Sequence, residues 1–381
     1  MRHGEGRKGR GDKAGATGPD CAKTGFHMKR KAIIGAAAIW LALAAPAAAQ
    51  SLGARQCSSP EVSVDLRIDA CSSVIDSSAK GDPKLAFAYS SRGNAYQTKG
   101  DYDAAIADYG RAIGVDPHYM YAFFNRGTAY QAKQDLVRAL ADYDRAIQLD
   151  AGYAFSYAGR ASIYLAQKKY DLAIRDYGEA IRLDPYYAPN FLDRGSAYQA
   201  QGVYASAVED YTHAIRLDPY YVSAFARRAS AYEAVGDHKS AVWDLSQVLF
   251  LEPANAAAWN DRCWNRALDH DWREALSDCD ESLDLGPDDA NAHDSRGFVR
   301  LALGDARGAR ADYDRALRLE PKLASSLYGR GLAKRLGGDA AGGAADIAAA
   351  ERLKPDIAEQ FAKWGIGRAG GAPVGAVSAS H

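Results

Sequence analysis

The sequence predicts an all-α solenoid, about eight helix–turn–helix units in single file with a capping helix at each end. Three observations predict it. An Arg followed sixteen residues later by an Asp recurs at a constant 34-residue step: Arg92, Arg126, Arg160, Arg194, Arg228, Arg262, Arg296 and Arg330, each with its Asp from Asp108 to Asp346. Within each copy, apolar residues return at helical spacing twice over: Tyr89, Gly93 and Tyr96 share one face, and Ala105, Tyr109 and Ala112 another. The punctuation repeats as well. Gly100-Asp101 breaks the chain between the two helices, and Asp116-Pro117 closes the unit.

Residues 1–27 read as an upstream extension. Residues 28–49 read as a secretory signal peptide: Met28 opens it, Lys29, Arg30 and Lys31 form a basic region, Ala32 to Ala45 is apolar, and Ala47-Ala48-Ala49 supplies the small residues of a cleavage site. Cleavage after Ala49 would start the mature chain at Gln50 and place it in the periplasm or outside the cell. The uncharged run is shorter than the roughly 20 residues that span a bilayer, so no membrane span is expected. Residues 50–85 are expected to form N-terminal capping helices. One, from Pro60 to Ile75, echoes the second helix of the first unit and sets Cys71 where that unit has Tyr109. Eight units fill 86–357. The last is the most degenerate, with Gly343 in place of Ala and Ile347 in place of Tyr. A closing helix is expected over 358–365 and a disordered tail over 366–381.

Seven of the eight copies carry Gly or Ala in the first helix (Gly93, Gly127, Ala161, Gly195 among them), and seven carry an Ala in the second (Ala105, Ala139, Ala173, Ala207 among them), where the helices must approach closely. A 34-residue helix–turn–helix with small residues at these points resembles the tetratricopeptide repeat, and the resemblance runs from residue 86 to about 357. It implies a right-handed superhelix whose concave face is lined by the first helix of every unit and holds a protein or peptide. Carried over position by position, the implied binding residues are Asn94, Gln97, Thr128, Gln131, Ser162, Leu165, Ser196, Gln199, Ser230 and Glu233, with Phe87, Tyr121, Phe124, Phe155 and Leu192 as apolar companions. Some family members grip a C-terminal carboxylate with a Lys in this face. Here Ser90, Phe124 and Ala158 stand in its place, which disfavours such a clamp.

Neutral amides, hydroxyls and aromatic rings suit an extended polypeptide or a partner helix. A cell-envelope polysaccharide is the alternative occupant. Trp264, Phe298 and Leu332 make the far end greasier, either as binding surface or as core beneath a closing helix.

No catalytic machinery is evident. Gly-x-Gly-x-x-Gly occurs only in the two tails, with no strand before it, and no nucleophile elbow, zinc-protease or phosphate-loop motif is present. The eight His are scattered, and His213 and His238 read as solvated. No catalytic residue, cofactor or metal ligand is therefore assigned. Residues 1–31 carry +6, so the remainder carries −7 against a chain total of −1, and an acidic body disfavours nucleic acid. The Arg–Asp ladder reads as structural, joining helix to helix or unit to unit, because alternating signs cancel over short distances. Two cysteine pairs lie a helix apart. In an exported chain, Cys57–Cys71 and Cys263–Cys279 are expected to form disulfides.

Overall fold

A computed structural model describes residues 53–366. The extension 1–27, the predicted signal peptide 28–49 and residues 367–381 of the predicted tail lie outside the described residues.

Among the described residues every regular element is helical. After a short helical segment at residues 53–58, helix α1 (Val64–Ser77) leads into eight hairpins. They are α2 (Lys84–Lys99) with α3 (Tyr102–Val115), α4 (Met120–Ala132) with α5 (Leu136–Leu149), α6 (Ala154–Ala166) with α7 (Tyr170–Leu183), and α8 (Ala188–Ala200) with α9 (Tyr204–Leu217). There follow α10 (Val222–Ala234) with α11 (His238–Leu251), α12 (Ala256–Leu268) with α13 (Trp272–Leu285), α14 (Ala290–Ala302) with α15 (Ala306–Leu319), and α16 (Ala324–Leu336) with α17 (Ala340–Leu353). Helix α18 (Ile357–Lys363) closes the stack. Each helix packs on the one before and the one after, and most even-numbered helices also touch the next even-numbered helix, building one continuous face.

The turn inside every hairpin has one cause. One or two positions past the first helix, a residue adopts the left-handed conformation that lets the chain reverse while its backbone caps the helix end. Gly100, Gly202, Gly236, Gly304 and Gly338 do this with φ between 80° and 90°, at no steric cost. Gln134, Lys168 and His270 occupy the same turn position with φ of 61°, 57° and 66°. In five of the eight hairpins an Asp then caps the second helix: the side chain of Asp101 accepts from the Ala104 amide at 3.0 Å, and Asp135, Asp237, Asp305 and Asp339 cap their helices in the same way.

Inside five of the hairpins a small residue faces a tyrosine ring. A Cβ added at Gly93 would lie 2.6 Å from the ring of Tyr109, and one at Gly195 would lie 2.7 Å from Tyr211. Tyr109, Tyr143, Tyr177, Tyr211 and Tyr313 are thereby fully buried between helices. The ladder has both of its expected functions. All eight Arg meet the Asp of their own unit at 2.6 to 2.8 Å. Several also reach back to the preceding unit: Arg160 to Asp144 at 2.7 Å, Arg296 to Asp280 at 2.8 Å, and Arg330 to Asp314 at 3.0 Å. Arg228 donates to Thr212 and Arg262 to Ser246 at the matching positions.

Helix α1 joins the stack on the same terms. Arg92 donates to Ser72 at 2.9 Å, so α1 stands in for the second helix of a preceding unit. It begins at Val64, with the Ser63 side chain as cap, later than the expected Pro60, because residues 60–62 form a turn. A disulfide joins Cys71 to Cys57 with the Cα atoms 4.7 Å apart, fastening the 53–58 segment to α1. A second joins Cys263 of α12 to Cys279 of α13 at a Cα separation of 5.3 Å, in the place of the small-residue and ring contact of those five hairpins. At the far end, Ile357 and Phe361 of α18 are buried against Phe298, Tyr328 and Leu332.

Candidate binding groove

The even-numbered helices present the face on which the expected binding residues lie. Three of the predicted rings stand in solvent: Phe87 is 51% exposed, Tyr121 48% and Phe155 39%. Two of them, Tyr121 and Phe155, are held by other rings. Tyr153, which immediately precedes α6, meets Tyr121 edge-on at 5.4 Å, Phe124 at 5.1 Å and Phe155 at 5.5 Å, and Phe155 meets Tyr187 at 5.3 Å. The result is an aromatic edge along the first three hairpins. Tyr186 and Tyr220, in the following inter-unit turns, are more exposed still.

The predicted amides are placed differently from a free binding surface. Gln97 accepts from the buried Tyr109 hydroxyl at 2.9 Å and donates to Thr128 of the next unit at 3.1 Å. Gln131 accepts from Tyr143 at 2.8 Å and donates to Ser162 at 2.9 Å, and Gln199 accepts from Tyr211 at 2.7 Å and donates to Ser230 at 3.1 Å. Asn94 accepts from both Tyr109 and Asn125. Ser196 donates to the Leu192 carbonyl at 2.8 Å, and Glu233 accepts from Asn265 at 3.1 Å. These polar side chains tie each unit's core to its neighbour's surface. Leu165 and Leu192, at the apolar positions, are half-buried within neighbouring core clusters.

The same face also holds charged residues that the sequence reading did not single out. Burial raises Asp193 of α8 to about 6, against the opposing pull of Arg227 of α10. Burial likewise raises Asp261 of α12 to about 6, helped by the negative charges of Glu233 and Asp289. Arg227 makes no ion pair among the described residues and lines a 420 Å³ depression with Ser196, Gln199, Tyr204 and Ser230. Asp193 directly follows Leu192, an apolar companion carried over from the resemblance, and Arg227 stands 34 residues further on. The 34-residue step applied to that column would have found them.

At the greasy end, Phe298 and Leu332 are core beneath α18, whereas Trp264 stays half-buried and lines a 340 Å³ cleft with Trp364. The histidines are engaged: His213 stacks on Phe191 at 5.4 Å and the Nδ1 of His238 lies 3.0 Å from Asn265. Among the described residues no group of His, Cys, Asp and Glu could hold a metal ion, and no helix is long and apolar enough to cross a membrane.

The fold and its face define a helical-repeat solenoid of the kind on which interaction scaffolds are built. Models of the tetratricopeptide repeat match residues 86–119, 154–187 and 188–221, so these three units are tetratricopeptide repeats, and the remaining hairpins repeat the same 34-residue unit in unbroken register. No curated protein matches the sequence. Among solved structures it is similar to YrrB, a TPR protein with an unusual peptide-binding site, at 22% identity over 48% of this chain and 95% of that one, with a TM-score of 0.44. It is also similar to PilF of Pseudomonas aeruginosa at 20% identity over 56% and 97%, with a TM-score of 0.49. A third is a tetratricopeptide repeat protein from Parabacteroides merdae, at 19% identity over 66% and 97%, with a TM-score of 0.47.

Proposed function

We propose that the protein is an exported, non-catalytic scaffold that holds a polypeptide along the face of its even-numbered helices, anchored on the aromatic edge of the first three hairpins. The observation that carries this reading is the set of rings Phe87, Tyr121 and Phe155. Among the described residues every other Phe side chain is more deeply buried, Phe250 excepted. The Tyr121 and Phe155 rings, fixed by contacts with Tyr153 and Tyr187, lose little freedom on binding, which favours affinity. Gln97, Gln131 and Gln199 then serve chiefly to hold that face in shape, with the rings making the contact.

Export is supported by the basic-then-apolar stretch 28–49 and by two disulfides, which persist in oxidising compartments. N-terminal sequencing of the protein recovered from cells tests it: the expected terminus is Gln50, and an intact Met1 or Met28 would refute export.

A polysaccharide occupant is the second reading, favoured by the same rings, since flat aromatic faces also stack on sugars. Peptide and glycan arrays probed with the purified chain separate the two. The polypeptide reading expects peptide signals that fall at least tenfold in Tyr121→Ala/Phe155→Ala, about the loss of one anchor ring. Binding confined to glycans, or peptide binding indifferent to both substitutions, would defeat it.

A further inference from the structure

The cleft at the end of the groove is a continuation of the same face. Trp264 occupies in α12 the position that Asn94, Thr128, Ser162, Ser196 and Ser230 hold in the earlier units. Its indole meets that of Trp364 edge-on at 4.9 Å, and both rings rest on Phe298, at 5.3 and 5.8 Å. Phe361 supports Trp364 from behind at 5.4 Å. The walls are therefore rigid, and the 340 Å³ they enclose accommodates a large side chain.

One carboxylate lines this cleft. Asp294 of α14 accepts hydrogen bonds from Ser326 and Ser325, and it enters none of the ion pairs among the described residues. This sets it apart from the ladder carboxylates, each of which has its Arg. Lys354, in the wall of the cleft, is not within ion-pair distance of it. Two hydroxyls solvate a carboxylate in part, but a carboxylate drawn out of water without a countercharge remains unfavourable. Its burial raises it to about 6, so it is mostly ionised at neutral pH. An arriving cation would supply the missing charge and would meet the indole walls, which attract cations through their ring faces. A neutral donor would supply neither.

We infer that the cleft formed by Trp264, Asp294 and Trp364 seats a basic side chain, lysine or arginine, of the polypeptide held along the groove. This rests on the polypeptide reading above. The aromatic edge of the first hairpins and this cleft then mark two ends of one path, and a ligand would need an apolar anchor and a basic residue several units apart.

The test uses the purified full chain and the indole N–H signals of Trp264 and Trp364, assigned with single Trp→Phe variants. Nα-acetyl-lysine amide is titrated against Nα-acetyl-norleucine amide, which keeps the alkyl stem and lacks the charge. Both signals should shift with the lysine compound and barely with norleucine. Asp294→Asn should weaken the lysine response about tenfold or more, the loss expected for one charge-assisted hydrogen bond. Trp264→Leu, followed at Trp364, should weaken it while Asp294 remains, and unchanged circular dichroism would show that both variants are folded. Equal shifts with norleucine, or an undiminished response in Asp294→Asn, would overturn the inference. The readout needs no bound polypeptide, so it is scored separately from peptide capture at Tyr121 and Phe155.

Discussion

The hydroxyl of Tyr143 donates to the side-chain oxygen of Gln131 at 2.8 Å. Tyr143 is buried between two helices, so this bond is its polar exit, and Gln131 holds the far end on the groove surface. Replacing Gln131 with Leu, the residue that the third hairpin carries as Leu165, leaves a buried phenol unpaired. The expected cost is about 1–3 kcal/mol in urea unfolding. A Gln131→Leu/Tyr143→Phe pair should recover most of it. If the double variant is as unstable as the single, the bond is not what the amide provides.

Gln134 and Lys168 stand in a turn that glycine fills in five of the eight hairpins. Both have positive φ, a conformation that costs a residue with a Cβ roughly 1–2 kcal/mol. Gln134→Gly and Lys168→Gly should therefore each raise stability by about 0.5–1 kcal/mol, after allowing for the greater freedom of glycine in the unfolded chain. Ala at the same sites should bring no gain. Equal effects of Gly and Ala in thermal melts would contradict this account.

Arg228 and Asp244 are both buried, and the carboxylate is raised by burial in spite of its Arg. At the end of the stack the balance reverses: Asp346, with Arg330 and Lys334 against it, is lowered. Asp244→Ala strands a buried guanidinium and should cost about 3–5 kcal/mol, whereas Arg228→Met/Asp244→Leu should cost far less, because neither charge is then desolvated. A double variant as unstable as the single would show that the pair contributes more than mutual neutralisation.

The repeat made the fold legible. A fixed 34-residue step with an Arg–Asp pair in each copy, and a small residue facing a ring in most, leaves the chain few ways to pack other than hairpin on hairpin. The groove was legible only by position. Gln97, Gln131 and Gln199 lie on the expected face, but what they bond to depends on the Tyr twelve residues on and the hydroxyl thirty-one residues on, and composition does not reveal which partner prevails. The Trp264–Trp364 cleft was hidden for a related reason. Trp364 follows the last repeat, so the periodicity that organises everything before it says nothing of where its ring falls.

Cys263 and Cys279 replace the small residue and the ring of their hairpin with a covalent link. Closing a loop of that size is worth roughly 3 kcal/mol in the unfolded chain. Cys263→Ala/Cys279→Ala should lose about 2–4 kcal/mol, and dithiothreitol should lower the melting temperature of the wild type but leave the variant's sensitivity to Cys57–Cys71 alone. Cys263→Gly/Cys279→Tyr restores the pairing used by the fourth hairpin, Gly195 with Tyr211, and should recover part of the loss without a disulfide. An Ala pair as stable as wild type under oxidising conditions would show that the bond adds nothing.

Asp193 and Asp294, with Asp261, shape the response of stability to pH. Burial raises all three to about 6, whereas an unfolded chain holds Asp near the ordinary value of about 3.9. Between those values the native protein binds protons that the unfolded chain does not. Stability must therefore fall as pH rises through this window, and the charged forms must burden the fold at neutral pH. Lowering pH from about 7.5 to about 5 should thus strengthen the protein, on the order of 1 kcal/mol for each residue once solvent screening is discounted. The gain ends lower down, where carboxylates such as Asp346, lowered by its cations, take up protons and lose their pairing. Asp193→Asn and Asp294→Asn should each flatten the slope and stabilise the protein at neutral pH. For Asp294 that gain would accompany loss of the lysine response, the signature of a charge kept for binding at the expense of stability. Urea unfolding at the two pH values decides it: a wild type less stable near pH 5 than near 7.5, or Asn variants with an unchanged slope, would rule these two carboxylates out as its source.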